Sequence, residues 1–263
     1  MIRVGVFGAA GRMGATVCQA VLGDLATQLV AAVDPAAAGT RLSELGLDAG
    51  DLVVQADADA LADAGAEVAV DFTVHDASVA HLEWCAANGV HAVVGTTGFT
   101  PAELDALRTR FEAVEANAVI APNFAVSAVL MMRFAELAAP WFETAEIIEL
   151  HHDAKVDAPS GTAMMTATRM AAASSEWAAD PTTAHVLDGA RGGAGPAGIR
   201  VHSVRLRGLV AHQEVLLGAT GQTLTIRQDS YDRSSYMPGV LVAVKTVGER
   251  PGLTVGLDAI LGI

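Results

Sequence analysis

The chain has 263 residues, which favours two domains over one, and 52% of them are hydrophobic while 5% are aromatic. This composition predicts a core of alanine, valine and leucine, which is typical of parallel strands covered by helices. The formal charge of -14 disfavours nucleic acid or an anionic membrane as partner, and no apolar run is long enough to predict a transmembrane helix.

The first 34 residues combine a strand, a glycine turn, a helix and a second strand. Residues 2–7 form an aliphatic strand that reaches glycine too early for a signal peptide, and the turn after it contains Gly8, Gly11 and Gly14. Residues 12–22 have helical periodicity, and a strand at residues 29–33 ends at Asp34. This order is typical of dinucleotide binding, in which glycines admit the pyrophosphate and the acid binds ribose. The spacing Gly-x-x-Gly-x-x-Gly is not the usual one, so a purely structural glycine turn is the alternative.

The next hundred or so residues continue the alternation of strands and helices. The predicted elements are a loose helix with connections at 36–66, strands at 67–72, 90–94 and 118–121, and helices at 77–88 and 100–115. Thr100, Pro101 and Glu103 mark the start of the last of these helices. The turn from Gly95 contains Thr97 and follows a strand, where doubly wound sheets bind ligands; an ordinary tight turn is the alternative. Because a strand ends at Pro122, the first domain boundary is predicted here.

The second half of the chain contains its most reactive stretch, residues 149–163. A helix at 126–139 and a strand at 144–150 precede this stretch, and Ser160 is predicted to cap the helix that follows it. Residues 171–198 are predicted to be a surface loop. Strands at 199–207, 211–218 and 223–229 predict an antiparallel or mixed sheet, and a helix at 236–247 is predicted to return to the first domain.

The reactive stretch has the side chains for acid–base chemistry on a carboxylate. His151 and Lys155 together suit protonation of a substrate and stabilisation of its charge. The turn at residues 160–162 starts a helix and suits a carboxylate. His152 follows His151 directly and would point to the opposite face of a strand, which disfavours a metal site built from both imidazoles. With a dinucleotide, this pocket predicts hydride transfer to a small carboxylated substrate; solvated loop residues are the alternative.

The stretch Glu-Leu-His-His-Asp-Ala-Lys-Val-Asp-Ala-Pro-Ser-Gly-Thr-Ala closely resembles the signature of the 4-hydroxy-tetrahydrodipicolinate reductase (dihydrodipicolinate reductase) family. The resemblance covers nearly the whole chain, including residues 8–14, 71–73, 95–99, 121–124 and 208–215. It implies NAD(P)H-dependent reduction of a cyclic hydroxy-dicarboxylate to tetrahydrodipicolinate with loss of water, in lysine biosynthesis through diaminopimelate.

The resemblance also implies roles for individual residues. His151 would be the acid/base group, and Lys155 would be a proton donor that also binds the substrate. The other implied substrate-binding residues are His152, Ser160, Gly161 and Thr162. The residues implied to bind NADH or NADPH are Gly8, Ala9, Gly11, Arg12, Met13, Gly14, Asp34, Phe72, Gly95, Thr97, Ala121, Asn123 and Phe124. No metal is expected.

The fold that the resemblance implies is α/β, with a Rossmann-like dinucleotide-binding domain at residues 1–123 and 233–263. A substrate-binding and tetramerisation domain of α+β type, with a mixed sheet, would span residues 124–232, and the chain would form a homotetramer. Hinges are expected at 122–124 and 232–233. Asp34 should bind the ribose of NADH and repel the extra phosphate of NADPH. Some family members have a lysine where this chain has Ala10, although Arg12 remains, so NADH is expected to serve at least as readily as NADPH.

Two rival functions are weighed against the reductase. One is a related dehydrogenase of the same two-domain plan that acts on aspartate semialdehyde or homoserine. An aldehyde dehydrogenase of that kind would require a nucleophilic cysteine, and neither Cys18 nor Cys85 lies in a suitable loop. These two residues are instead predicted to be buried free thiols of a cytoplasmic protein. A dinucleotide-binding sensor without catalysis would tolerate loss of His151 or Lys155, yet both are present.

Overall fold

The computed structural model describes residues 1–263 and divides into two compact units. Unit 1 comprises residues 1–126 and 233–263, and unit 2 comprises residues 127–232. The sequence predicts boundaries after residues 123 and 232. None of the helices is both long enough and apolar enough to span a bilayer.

The regular elements alternate along unit 1 and are mainly strands in unit 2. The strands are β1 (Ile2–Phe7), β2 (Thr27–Val33), β3 (Val68–Asp71), β4 (His91–Val94), β5 (Ala118–Ile120), β6 (Thr144–His151), β7 (Gly193–Ala194), β8 (Arg200–Arg205), β9 (Ala211–Ala219), β10 (Gln222–Ser230) and β11 (Leu253–Val255). The helices are α1 (Arg12–Gly23), α2 (Asp59–Asp63), α3 (His75–Asn88), α4 (Pro101–Glu112), α5 (Val126–Ala138), α6 (Gly161–Ala173), α7 (Met237–Thr246) and α8 (Leu257–Leu261).

Unit 1 contains a six-stranded parallel sheet in the order β11-β5-β4-β3-β1-β2. The chain moves outward from β1 to β2 and then returns to the other side of β1 with β3, which is the switch point of a Rossmann-like fold. The central strands are aliphatic and buried, as in Val4, Val6, Val70 and Val93. The predicted α/β class is therefore confirmed.

Local signals locate the start of α4 correctly. Thr100 accepts a hydrogen bond from the Glu103 amide at 3.3 Å, and the Glu103 carboxylate accepts one from the Thr100 amide at 2.7 Å. Pro101 occupies the first helical position. This reciprocal capping satisfies two amides that a helix leaves without a backbone partner.

Unit 2 contains a five-stranded mixed sheet in the order β10-β9-β6-β8-β7. The central strand β6 is parallel to β8 and antiparallel to β9, which confirms the predicted mixed sheet. Strands β8 and β9 are consecutive in the chain but do not pair, because β6 lies between them.

Two predictions of secondary structure need correction. Residues 171–198 are predicted to be loop, yet α6 continues to Ala173, and β7 pairs with β8. Strand β11 and helix α8 have no counterpart in the prediction. Each is at most five residues long, so periodicity is a weak signal, and β11 is defined by its pairing with β5.

Candidate active site

The glycine turn after β1 leads directly into α1, whose N-cap is Gly11. No side chain caps this helix and no acidic residue lies in its first turn, so its first amides face no competing anion from their own turn. Gly14 packs so closely that a Cβ there would overlap the Gly8 carbonyl, which explains the requirement for glycine. These features fit the pyrophosphate of a dinucleotide.

Asp34 lies at the end of β2, directly beside the glycine turn. One carboxylate oxygen accepts a hydrogen bond from the Ala10 amide at 3.1 Å, and the other accepts one from the Ala36 amide, also at 3.1 Å. The carboxylate is thus held next to the turn that would carry the pyrophosphate. This is the position expected for a group that binds ribose hydroxyls.

A second group of residues meets at the carboxyl edge of the same sheet. The Phe72 ring lies against Gly95, where a Cβ would overlap it, and its centroid is 5.6 Å from that of Phe124. The Ala121 amide donates to the Val94 carbonyl at 3.0 Å, which keeps the segment after β5 beside β4. Unit 1 therefore brings together predicted cofactor residues that lie about 50 positions apart in sequence.

The predicted cofactor residues differ in how a ligand would reach them. Arg12 and Thr97 are exposed, so their side chains are open to a ligand, and Met13 and Asn123 are half-buried. Three others, Ala9, Ala121 and Phe124, are fully buried. A ligand could therefore reach the side chains of Arg12, Thr97, Met13 and Asn123 directly, but not those of the three buried residues.

In unit 2, β6 ends at His151, whose imidazole pairs with a buried carboxylate. His151 Nδ1 lies 2.6 Å from a carboxylate oxygen of Glu149, two residues earlier on the same face of the strand. Burial lowers the pKa of His151, the Glu149 carboxylate opposes this shift, and the nearby positive charges of Lys155 and Arg205 add to it. Because Nδ1 donates to the carboxylate, Nε2 is the nitrogen that can exchange a proton with a substrate.

Glu149 is the centre of the hydrogen-bond network in this site. It is 0% exposed and accepts hydrogen bonds from both terminal nitrogens of Arg205 at 2.8 Å and from the Ser160 amide at 3.2 Å. Burial opposes its ionisation, but hydrogen bonds from Arg205, Ser203 and His151 outweigh burial, so the pKa of Glu149 is lowered. The carboxylate therefore stays charged and fixes the tautomer of His151.

Lys155 lies in the loop after β6 and is held by Asp157. Its ammonium nitrogen donates to both oxygens of the Asp157 carboxylate, at 2.7 and 2.8 Å. Arg205 donates to the backbone carbonyl of Asp157 at 2.6 Å, which ties this loop to the buried pair. The predicted partners His151 and Lys155 thus belong to one cluster, although no hydrogen bond joins them directly in the structure.

The turn at residues 160–162 begins α6 as predicted. The Ser160 hydroxyl accepts a hydrogen bond from the Ala163 amide at 3.2 Å, and its own amide donates to Glu149. Gly161 is exposed, and a Cβ there would meet nothing within 4 Å, so a ligand has room at the helix start. A helix N-terminus beside Lys155 and Arg205 provides positive potential in a chain of strongly negative net charge.

The His152 side chain and one cavity of unit 2 lie outside this hydrogen-bonded cluster. The His152 side chain is exposed, and its amide donates to the Val210 carbonyl at 3.3 Å. A cavity of about 470 Å³ opens on the sheet of unit 2, lined among others by Ile148, Trp177 and Leu216. None of the predicted catalytic residues lines it.

Glu149, Asp157 and Arg205 are site residues that the sequence interpretation did not select. Glu149 was detectable, because its spacing of two from His151 on a strand puts both side chains on one face. Arg205 was not, because its place opposite His151 results from the pairing of β6 with β8. Both cysteines are buried and free as predicted, and burial raises the pKa of Cys18 to about 12.

Two family models, which describe the N-terminal and C-terminal parts of the same kind of protein, together match almost the whole chain. The model described as "Dihydrodipicolinate reductase, N-terminus" matches residues 2–124. The model described as "Dihydrodipicolinate reductase, C-terminus" matches residues 127–261.

Full-length relatives have the corresponding activity in their names. The chain is 51% identical over 267 residues to the 4-hydroxy-tetrahydrodipicolinate reductase of Cutibacterium acnes, with 100% of both chains covered. It is 50% identical over 264 residues to that of Mycobacterium marinum, again with 100% of both covered. Among solved structures, the dipicolinate-bound dihydrodipicolinate reductase of Paenisporosarcina sp. TG-14 is similar with a TM-score of 0.88, at 41% identity over 99% of each chain.

A more distant likeness concerns the fold alone. Aspartate semialdehyde dehydrogenase II of Vibrio cholerae has a TM-score of 0.53 at 13% identity, over 94% of this chain and 98% of that one. Such low identity carries no inference about chemistry.

Proposed function

The chain belongs to the dihydrodipicolinate reductase family, and on that premise we propose that it reduces 4-hydroxy-tetrahydrodipicolinate to tetrahydrodipicolinate with loss of water. It is an oxidoreductase of the diaminopimelate route to lysine, and its cofactor is a nicotinamide dinucleotide. The observation that carries the proposal is the Glu149–His151 pair beside Lys155 at the start of α6.

We assign the dinucleotide to unit 1 and the substrate to unit 2. The glycine turn and the start of α1 would hold the pyrophosphate, Asp34 the ribose, and Phe72, Gly95 and the segment after β5 the nicotinamide end. The reduced dinucleotide supplies a hydride when bound. We also propose that the two domains meet after residues 123 and 232, and that the chain has hinges at these two positions.

The residues of unit 2 would manage protons and charge. The reaction consumes one proton and releases water, so the site requires a general acid. His151 would exchange the proton at Nε2 while Glu149 holds Nδ1, and the Lys155 ammonium would donate a proton and bind the substrate. The amides at Gly161 and Thr162, with the Ser160 turn and His152, would bind the substrate carboxylates. The dipicolinate in the Paenisporosarcina structure is a cyclic dicarboxylate and supports this substrate class.

A direct assay tests this function. Purified protein, reduced dinucleotide and enzymatically generated substrate should give a fall in dinucleotide absorbance. Aspartate semialdehyde in place of that substrate should give no such fall. Absence of turnover with the cyclic dicarboxylate would contradict the proposal.

We expect NADH to serve at least as readily as NADPH, because Asp34 would face the 2′-phosphate of NADPH. Replacing Asp34 with asparagine should lower the ratio of KM for NADPH to KM for NADH by about fivefold to tenfold, since a nearby like charge is removed. Steady-state kinetics with both dinucleotides measure this ratio. Asp48→Asn is the matched control, because it changes the net charge equally at an exposed position outside the site. A strong preference of the unaltered protein for NADPH would refute the assignment.

We also propose that the chain forms a homotetramer through unit 2. Strand β10 is an edge strand, and its first four residues are exposed, including Leu224. An exposed edge is normally covered by another chain or protected by charge. Light scattering should give a mass near four times the 26.9 kDa of one chain, and Leu224→Arg should lower it. A monomeric mass for the unaltered protein would contradict the proposal.

Cytoplasmic location is proposed from the thiols. Cys18 and Cys85 are both free and buried, which is usual in a reducing compartment. Fractionation of the source cells tests this assignment, and recovery of the protein outside the cytoplasm would contradict it.

A further inference from the structure

Unit 1 contains a buried carboxylate that the proposed mechanism does not use. Asp71 ends β3 and is 2% exposed. One of its carboxylate oxygens lies 2.7 Å from Nδ1 of His81 on α3, and the other accepts a hydrogen bond from the Thr73 amide at 2.6 Å. A buried carboxylate is costly without such partners, so His81 and the Thr73 amide hold Asp71 in place.

The Asp71 carboxylate holds the turn after β3, residues 71–73, and this turn is hydrogen-bonded to the turn after β4. The Gly95 amide donates to the Asp71 carbonyl at 2.9 Å, and the Thr96 hydroxyl donates to the Thr73 carbonyl at 3.1 Å. The turn after β4 therefore follows the position of the turn after β3.

This turn also touches both glycines expected to lie against the dinucleotide. A Cβ on Gly8 would lie 2.8 Å from the Thr73 methyl group, and a Cβ on Gly95 would overlap the Phe72 ring. Neither contact leaves spare room, so a shift of the turn by a few tenths of an ångström would move one of the two glycine backbones.

His81 contacts the strand before the glycine turn as well. Its ring stacks on Phe7 with centroids 3.9 Å apart and planes 5° from parallel. Phe7 is the last residue of β1 and is paired with Asp71 in the sheet. One imidazole therefore contacts the ends of both β1 and β3.

We propose that Asp71 and His81 are a positioning pair for the dinucleotide site. The imidazole holds the Asp71 carboxylate, and the carboxylate holds the turn after β3, which packs against Gly8 on one side and Gly95 on the other. The pair acts through the turn, and its hydrogen bonds and stacking contact join residues of unit 1. Its loss should weaken dinucleotide binding without slowing the chemical step.

The test measures dinucleotide binding by titration calorimetry without substrate, and kinetics separately. His81→Phe preserves a ring against Phe7 but removes the donor to Asp71, and it should raise the Kd for NADH about tenfold, as expected when a buried acceptor loses its partner. The kcat at saturating NADH should stay within about twofold of the unaltered value, because the substitution does not change the proposed acid–base residues of unit 2. His81→Asn retains a donor near the position of Nδ1 and should largely restore binding.

A matched control separates this effect from general loss of stability. His91 lies at the start of β4, where its Nδ1 accepts a hydrogen bond from the Asn117 amide at 2.9 Å. His91→Phe also removes a histidine hydrogen bond from this sheet, yet its Kd should be unchanged. An unchanged Kd in His81→Phe, or an equal rise in His91→Phe, would overturn the proposal. Should His81→Phe not fold, His81→Leu removes the same donor with less bulk and is held to the same outcome.

This inference rests on the proposed dinucleotide site, and a parallel titration of Asp34→Ala distinguishes the two. If Asp34→Ala weakens NADH binding and His81→Phe does not, the positioning pair fails and the site stands. If both variants bind NADH like the unaltered protein, the proposed site itself fails.

Discussion

Replacing Lys155 with alanine is expected to lower kcat by about 10²–10⁴-fold, the range for loss of a general acid or base. The substitution removes a proton donor and the positive charge that helps to lower the pKa of His151. Folding should be little affected, because Lys155 lies in a loop and its partner Asp157 is exposed. Steady-state kinetics and thermal unfolding of the same preparations would measure both quantities. His151→Ala should cause a loss of similar size.

The chain provides matched controls for both variants. Lys245 pairs with Asp24 in unit 1 as Lys155 pairs with Asp157, and Lys245→Ala should keep near-normal turnover. His202 lies 2.8 Å from Glu146 in the same sheet as the His151–Glu149 pair, and His202→Gln should likewise remain active. Turnover within about threefold of normal in both Lys155→Ala and His151→Ala would remove the proposed mechanism.

Arg205→Met is expected to reduce both stability and activity. The free energy of unfolding should fall by about 3–5 kcal/mol, because Glu149 would remain buried without its charged partner. The pKa of Glu149 is lowered in the folded protein, so the stabilisation it provides is present above the ordinary glutamate pKa and is lost as the pH falls through the lowered value. The difference in the free energy of unfolding between Arg205→Met and the unaltered protein should therefore become smaller at acidic pH. Urea unfolding at several pH values measures it.

The double variant Arg205→Met with Glu149→Leu separates stability from catalysis. Removing both charges should recover much of the lost stability, since replacing a whole buried pair with apolar groups is often neutral. Activity should stay low, because His151 would have no carboxylate to fix its tautomer. If the double variant were as active as the unaltered protein, Glu149 would have no part in positioning His151.

The rival function as an aldehyde dehydrogenase loses its support at the cysteines. Burial raises the pKa of Cys18 to about 12, and burial together with the charge of Asp71 raises the pKa of Cys85. A thiol held in its neutral form is a poor nucleophile, so neither residue suits an aldehyde dehydrogenase. The likeness to aspartate semialdehyde dehydrogenase II therefore extends to the fold alone.

Local sequence determined many of the elements that build both sites. The glycine turn before α1, the capping residues of α4 and the Ser160 cap of α6 were all predictable, because each depends on neighbours within about six residues. The family signature at residues 149–163 was predictable for the same reason, since its reactive groups are contiguous. The positions of β11 and of β6 between β8 and β9 were not, because short or non-consecutive strands have no local signal.

Only the tertiary structure decided which groups surround His151. Arg205 lies 56 residues from Glu149 in the chain, and the two meet because β6 and β8 pair in parallel in one register. The order of β1, β3 and β4 in the sheet likewise brings Gly8 and Gly95 beside the turn after Asp71, whereas Asp71 and His81 are only ten residues apart in the chain. Sequence by itself determined which chemical groups and which local turns the protein has. Strand pairing over long separations depends on packing of the whole unit, so the partners that set charge and orientation in each site followed only from the fold.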